Sequence, residues 1–385
     1  MASPSAPAVE LPTFKGRPGW EFTDISELDL AAYERVGADG ATTAAAPLWE
    51  LPDRAALPDG VIVSTLDAPE HRELIERDLG SLVSGGDDAF VALNDAGVRA
   101  GAFVYVPPGV VLTEPISLTS VQARTGTLLN QRTLVVLDEG AQAEVWEQFL
   151  SGSADIDGVF NTVTELVVGA NARLRYVCGQ GLSEKSWIFG AQRAEVGRDA
   201  SLDWVALGFG SARGHVRMET RLAGEGSEAR VTGAYASHAR QHIDFDTTQE
   251  HAAANTTSDL AFRGVLQDRS TAVWKGNIIV DPGAQKTDAF QESRNLLLSK
   301  RAHADAIPGL EIQANDVRCT HAAAVAQVDP EQLFYLRSRG LPLEVAKRLV
   351  IEGFLATLVE RFEEGAVREV LSDALERRLA VILGS

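Results

Sequence analysis

The chain has 385 residues, of which 45% are hydrophobic and 23% charged. That is an ordinary globular composition, long enough for a large core built as two or three domains or as one extended repeat. With 35 basic against 54 acidic residues the net charge is −19, which repels phosphate backbones and anionic headgroups and so argues against nucleic-acid or membrane-surface binding. The two cysteines, Cys178 and Cys319, form neither a disulfide framework nor a CxxC zinc site. The N-terminus lacks the basic and apolar regions of a signal peptide. The most apolar helical stretch, residues 345–362, is interrupted by Lys347, Arg348, Glu352 and Glu360. A cytoplasmic protein with reduced thiols is expected.

Residues 1–95 read as a loosely built, partly helical N-terminal region. Residues 3–7 and 38–47 are rich in Ala, Pro, Gly and Thr, the composition of linker. Between them Trp20-Glu21-Phe22-Thr23-Asp24 opens a short segment, with Asp24 or Ser26 as helix cap. Leu74, Ile75, Leu79 and Leu82 have helical spacing and predict a helix over 69–82.

From about residue 100 short β-rich runs alternate with Gly, Asn and Asp. A small residue followed two places later by an apolar one recurs at Ala143/Val145, Ala172/Leu174, Ala200/Leu202, Ala229/Val231 and Ser258/Leu260, at spacings of 29, 28, 29 and 29. Turn signals such as Glu139-Gly140 and Gly224-Glu225-Gly226 precede most of them. Each unit reads as strand, tight turn, strand and a longer return, and one such unit cannot bury its own apolar face. The alternation in Arg173-Leu174-Arg175-Tyr176-Val177 has the period of two that strands require. The fold expected over 96–325 is mainly β, a right-handed parallel β-helix or β-solenoid, with a β-sandwich of evenly spaced strands as the alternative.

The period changes to helical over 326–385. Asp329-Pro330-Glu331-Gln332 combines an N-cap, a proline in the first turn and a nearby Gln. Gly340 and Pro342 separate that helix from a second carrying Val345, Leu349, Leu355, Leu358 and Phe362, and Gly365 precedes a last one over 366–379. A small C-terminal helical domain is expected.

Among motifs of chemistry, GxxxxGK[ST], GxSxG and HExxH are all missing from the sequence, so this chain should not hydrolyse nucleotides by itself. His242, Asp244 and Asp246 share one face of a strand, a donor set that suits a divalent metal; the plainer reading is a solvated face. Those carboxylates would also serve a polysaccharide-acting β-helix enzyme, a class that is commonly exported. Cys178 lies on the face of Leu174 and Tyr176 and reads as a buried, inert thiol. Cys319 and His321 lie two apart, hence on one face of an extended segment, where thiolate and imidazole could ligate one soft or borderline metal. Two ligands do not close a site. The others would come from another chain or a substrate, and an ordinary strand-end Cys and His is the plain alternative.

The stretch 307–340, with Pro308, Leu310-Glu311-Ile312, Asp316-Val317, Cys319, His321, Leu333-Phe334-Tyr335-Leu336, Arg339 and Gly340, resembles the signature of the SufB/SufD family, scaffold subunits of iron–sulfur cluster assembly. Arg263-Gly264, Gly276 and the block from Gln291 to Ser299 also resemble it, as does Trp20 to Asp24. Cys319-Thr320-His321-Ala322, where SufB chains carry Cys-Glu-His-Glu, is similar to the SufD branch, although Ala322 stands where Gly is usual. The resemblance implies a non-catalytic β-helical subunit that pairs with SufB through its core and binds the SufC ATPase through its C-terminal helices. It implies that His321, with Cys319 second, contributes to a nascent iron–sulfur cluster shared with SufB. No ATP site is implied in this chain, and a flavin site is not readable. An exposed β edge predicts that the isolated chain self-associates as a homodimer.

Overall fold

The structure, a computed structural model, describes residue 11 and residues 19–36, 47–50, 56–86, 88–97 and 101–384. The linker readings at 3–7 and 38–46 lie outside the described residues. The N-terminal part runs through β1 (Glu34–Val36), β2 (Ile62–Thr65), α1 (Arg72–Asp78) and α2 (Ala89–Gly97). It is followed by β3 (Ala102–Val106), β4 (Ile116–Gln122), β5 (Thr127–Leu137), β6 (Gln142–Ser151), β7 (Gly158–Val168), β8 (Arg173–Gly181), β9 (Trp187–Val196) and β10 (Ser201–Gly208). Next come β11 (Arg213–Leu222), β12 (Glu228–Ser237), β13 (His242–His251), β14 (Thr257–Leu266), β15 (Thr271–Val280), β16 (Asp288–Leu297), β17 (His303–Ile312) and β18 (Arg318–Gln327). Three helices close the chain: α3 (Pro330–Ser338), α4 (Leu343–Val359) and α5 (Ala366–Leu383).

From β3 onward the odd strands build one sheet and the even strands the other, each strand pairing in parallel with the strand two places on. Each coil therefore gives one strand to each sheet, and the fold is the expected β-solenoid, with eight strands in the even sheet. Inward side chains from both sheets fill the interior, among them Tyr176, Trp204, Phe245, Phe262 and Trp274.

The expected repeat has the right period and, at two of its steps, a register that is off by two. Leu174 pairs with Leu202, and Val231 with Leu260, as their spacing indicates. Ala143, however, lies opposite Leu174 rather than Ala172, and Leu202 opposite Ala229 rather than Val231. A slip of two residues leaves every side chain on the same face, so alternation alone cannot detect it. The tight turns settle the register. Gly140, Asn171, Asp199, Gly226, Asn255 and Lys286 all have φ between 53° and 74°. Their amides donate to the next coil, to the carbonyls of Ala170, Arg198, Glu225, Ala254, Gln285 and Asp316, at 2.7–3.3 Å. Left-handed backbone at one point of each coil thus forms a hydrogen-bonded column down the molecule.

Both outer faces of the sheets are covered. On the odd sheet Trp20, Ile25, Leu28, Phe90 and Leu93 pack on Leu128, Val159 and Phe189, and Ile75 packs on Phe103 and Leu134. The helix predicted over 69–82 is a short 3-10 turn followed by α1, which stops at Asp78. Beyond it the amides of Gly80, Leu82 and Val83 bind the buried Glu165 carboxylate instead. No helix was expected at α2, whose nine residues are too few to show a helical period. On the even sheet Ile351, Leu355 and Leu358 of α4 and Leu371 and Leu375 of α5 pack on Val205, Leu207, Ala234 and Val265, so α4 and α5 share a core with the solenoid. Phe362 joins them, but it lies past the end of α4 at Val359 rather than on that helix as expected. Among the described residues no helix is long and apolar enough to cross a membrane.

Asn171→Val tests the turn column, because a β-branched residue at φ 57° is strained. The expected cost is about 1–3 kcal/mol, read as a lowered thermal midpoint, whereas Asn171→Gly melts within a degree or two of the native chain.

Candidate functional site at the open end of the solenoid

The two ends of the solenoid are finished differently. At the N-terminal end β2 pairs antiparallel with β3, and Val36, Leu57, Val61 and Val63 pack against the core. At the other end β17 and β18 are the outermost strands of their sheets. Register shows which side chains face inward there. Cys319 pairs with Ala289 and His321 with Gln291, both buried inward residues of β16, so Cys319, His321, Ala323 and Val325 continue that inward row. On β17, Pro308, Leu310 and Ile312 continue the inward row of Gly276, Ile278 and Val280. With no coil beyond them, Leu310, Ile312 and Val325 are 39%, 42% and 42% exposed. A stacked repeat normally ends in a polar cap, and unpaired strand edges recruit other strands.

Within this end Cys319 is half-buried beside Ala314 and Val317, and burial followed by the nearby Asp288 carboxylate pushes its thiol up. The protonated thiol is thereby favoured over the metal-binding thiolate. His321 is exposed and makes no hydrogen bond or ion pair among the described residues, which leaves its ring free to ligate. No group of three or more His, Cys, Asp or Glu side chains able to hold a metal exists among the described residues. Cys319 and His321 therefore do not by themselves make a closed metal site among the described residues.

The other sequence candidates behave differently. His242, Asp244 and Asp246 do point outward from β13, but the middle of that face, at Asp244, is buried, while His242 and Asp246 keep part of their exposure. The Trp20–Thr23 segment covers Asp244: the Thr23 hydroxyl donates to Asp244 Oδ2 at 2.5 Å, and His215 Nδ1 lies 3.0 Å from the same oxygen. With the single hydroxyl proton of Thr23 committed, His242 Nε2 donates to Thr23 Oγ1 at 3.1 Å and its Nδ1 accepts from Thr271 at 2.7 Å. Asp246 accepts from Lys275 at 3.2 Å. Burial pushes the Asp244 carboxyl up, but attraction and hydrogen bonding from His215 outweigh it and hold it low. Burial likewise opposes the charge on His215, and Asp244 reverses the balance. Burial lowers His242. The cluster clasps the N-terminal segment to the sheet, and it forms no metal-holding group of three His, Cys, Asp or Glu side chains among the described residues. His215 lies outside the local motif, and its place opposite Asp244 follows only from the coil register.

The carboxylates that the polysaccharide reading would use, Asp244 and Asp246, are engaged by Thr23, His215 and Lys275 in this cluster. On the even sheet Glu144, Arg175, Asp203 and Arg230 occupy one register position in four successive strands, and each carboxylate is paired with arginine at 2.6–3.1 Å. Cys178 is buried and inward as its pattern indicates, and burial and then the nearby Glu147 push its thiol well up. A second exposed feature lies on the helices. Asp329 caps α3 by accepting from the Glu331 amide at 2.8 Å. That helix buries none of its residues, leaving Phe334 75% and Tyr335 56% exposed beside exposed Leu343, Val345 and Leu349 of α4.

These features define a class of protein: an asymmetrically finished β-solenoid with one uncapped end, whose last inward row carries Cys319 and His321, and an exposed apolar helical face. Comparison with known proteins makes the assignment specific. The family model described as "SUF system FeS cluster assembly, SufBD core domain" matches residues 119–354, and that of the "SufBD protein N-terminal region" matches residues 49–118. The chain is 33% identical over 333 residues to the iron–sulfur cluster assembly protein SufD of Bacillus subtilis, covering 86% of this chain and 75% of the relative. It is 31% identical over 301 residues to a SufBD-family iron–sulfur cluster assembly protein of Mycobacterium tuberculosis, covering 76% and 73%. A Synechocystis member is 26% identical over 387 residues, covering 92% and 85%. The chain belongs to the SufBD family of iron–sulfur cluster assembly proteins.

The interior makes one pH dependence testable. His251 is fully buried between the hydroxyls of Thr256 and Ser258, each 2.8 Å away, and burial lowers its pKa from 6.5 to about 4. Below about pH 6.5 the unfolded chain binds a proton that the folded chain refuses, so stability falls with pH until the folded value is passed. Chemical denaturation should show about 2 kcal/mol lost to this group between about pH 7 and pH 5, and His251→Gln should reduce the loss over that range by about that amount.

Proposed function

We propose that this chain is a non-catalytic scaffold subunit of a SufBCD-type complex, pairing with a SufB-like solenoid through β17 and β18. The observation that carries this reading is the uncapped end, where inward Leu310, Ile312 and Val325 are exposed beside two unpaired strand edges. A second solenoid docked there would continue both sheets and cover those side chains. The nascent iron–sulfur cluster is cargo at that junction. His321 supplies one ligand, Cys319 is the secondary candidate, and SufB supplies the rest. ATP hydrolysis belongs to a separate SufC-like subunit, which the apolar face of Phe334, Tyr335, Val345 and Leu349 would receive. That docking is supported by exposure of large apolar side chains on a capped helix.

Three variants, each copurified anaerobically with its partners from the host, separate these roles. Leu310→Glu with Ile312→Glu should lose the SufB-like partner and keep the ATPase. Phe334→Glu with Leu349→Glu should do the reverse. His321→Ala should keep both partners while iron and acid-labile sulfide fall about ten-fold or more. Retention of every partner and of iron in all three variants would refute the scaffold reading. Truncation at residue 326 is a poorer test, because α4 and α5 cover the outer face of the even sheet.

A further inference from the structure

We propose that Gln291 is the positioning residue for His321: its buried Oε1 accepts the ring N–H once a partner covers the terminal coil, leaving the other ring nitrogen for iron. The inference rests on the ligand reading of His321 given above. Gln291 stands opposite His321 in register, on the same inward row, and is fully buried. Its Nε2 donates to the carbonyls of Gly276 at 3.2 Å and Gly309 at 3.0 Å, bridging to the odd sheet in the last two coils. Those two carbonyls settle the orientation of the amide, since the flipped form would set oxygen against oxygen. Oε1 is then left buried with no hydrogen-bond partner among the described residues.

A buried acceptor without a partner calls for a physical explanation. His321 needs the complementary group. In the uncovered chain water can bind its ring, but under a partner the nitrogen not facing iron requires an acceptor, and that bond decides which nitrogen is free to ligate. Of its neighbours in the inward row, Ala289, Cys319 and Ala323 offer no oxygen acceptor from a side chain, and Ser293 Oγ, which accepts from Asn295 at 3.4 Å, stands opposite Ala323 rather than His321. One donor competes for Oε1. Trp274 Nε1 is also unpartnered, and a Cβ at Gly276 would lie 2.2 Å from the Trp274 ring and 2.7 Å from Gln291 Oε1.

The test uses the complex purified from its host, with Gln291→Met, Gln291→Glu, Trp274→Phe and His321→Ala in this chain. Loading with ferrous iron and sulfide is read as bound iron and acid-labile sulfide. The histidine tautomer is read by magic-angle-spinning NMR on the metal-free complex carrying ring-15N histidine in this chain. Gln291→Met removes the acceptor and should reduce loading about ten-fold, with the His321 signal split between two tautomers. Gln291→Glu keeps an acceptor while disturbing the Nε2 bonds, and should restore most of the loading and a single tautomer. Trp274→Phe should load as the native complex does. The proposal is overturned if Gln291→Met loads normally while His321→Ala does not. It is equally overturned if Gln291→Glu fails like Gln291→Met, since the role would then be the structural one of Nε2, or if Trp274→Phe reproduces the defect. Normal loading by His321→Ala would instead remove the ligand reading, and this inference with it.

Discussion

The parallel stacking of one coil on the next is the constraint on which the rest of this molecule depends. Every strand from β3 to β18 pairs in parallel with strands two places away, with β1 and β2 added only at the first coils, so no coil is stable by itself and each creates the template for its successor. Side-chain alternation then divides each strand into an inward row that fills the solenoid and an outward row that needs its own cover. The N-terminal segment with α1 and α2 covers one sheet, and α4 and α5 the other. Both appendages are therefore parts of the solenoid's stability.

The same constraint makes the end of the stack chemically distinct. A coil that supplies a template and receives no successor exposes backbone edges and inward side chains together. At the N-terminal end β2 and the residues around it resolve this locally. At β17 and β18 nothing among the described residues does so, and Cys319 and His321 occur on that last inward row. The coincidence of an uncovered template and an incomplete donor set is what makes a shared site the natural reading.

The legibility of the site was uneven. Two residues at strand spacing are enough to put Cys319 and His321 on one face, and the family signature around them directs attention there. The inward direction of that face, and the buried Gln291 behind His321, follow only from register with β16. The outer cluster of β13 shows the opposite failure. His242, Asp244 and Asp246 have the local spacing of a solvated or metal-binding face, yet Thr23, more than 200 residues away in the chain, hydrogen-bonds His242 and Asp244, and Asp244 is buried. Nothing in the spacing around β13 could report that cover.

What the sequence alone determined is the set of properties that local periodicity encodes: a period of two within strands, turn residues tolerant of left-handed backbone, a repeat near 29, and a capped helical end. These survive because each is set within a few neighbouring residues or by a recurring turn. What only the tertiary structure decided is register, cover and exposure. A slip of two residues conserves the hydrophobic pattern, so the pairing of Leu202 with Ala229 had to come from the hydrogen-bonded column of turns. Whether a polar face is solvated, clasped or left open for a partner depends on what packs on it from far along the chain, and no local pattern carries that information.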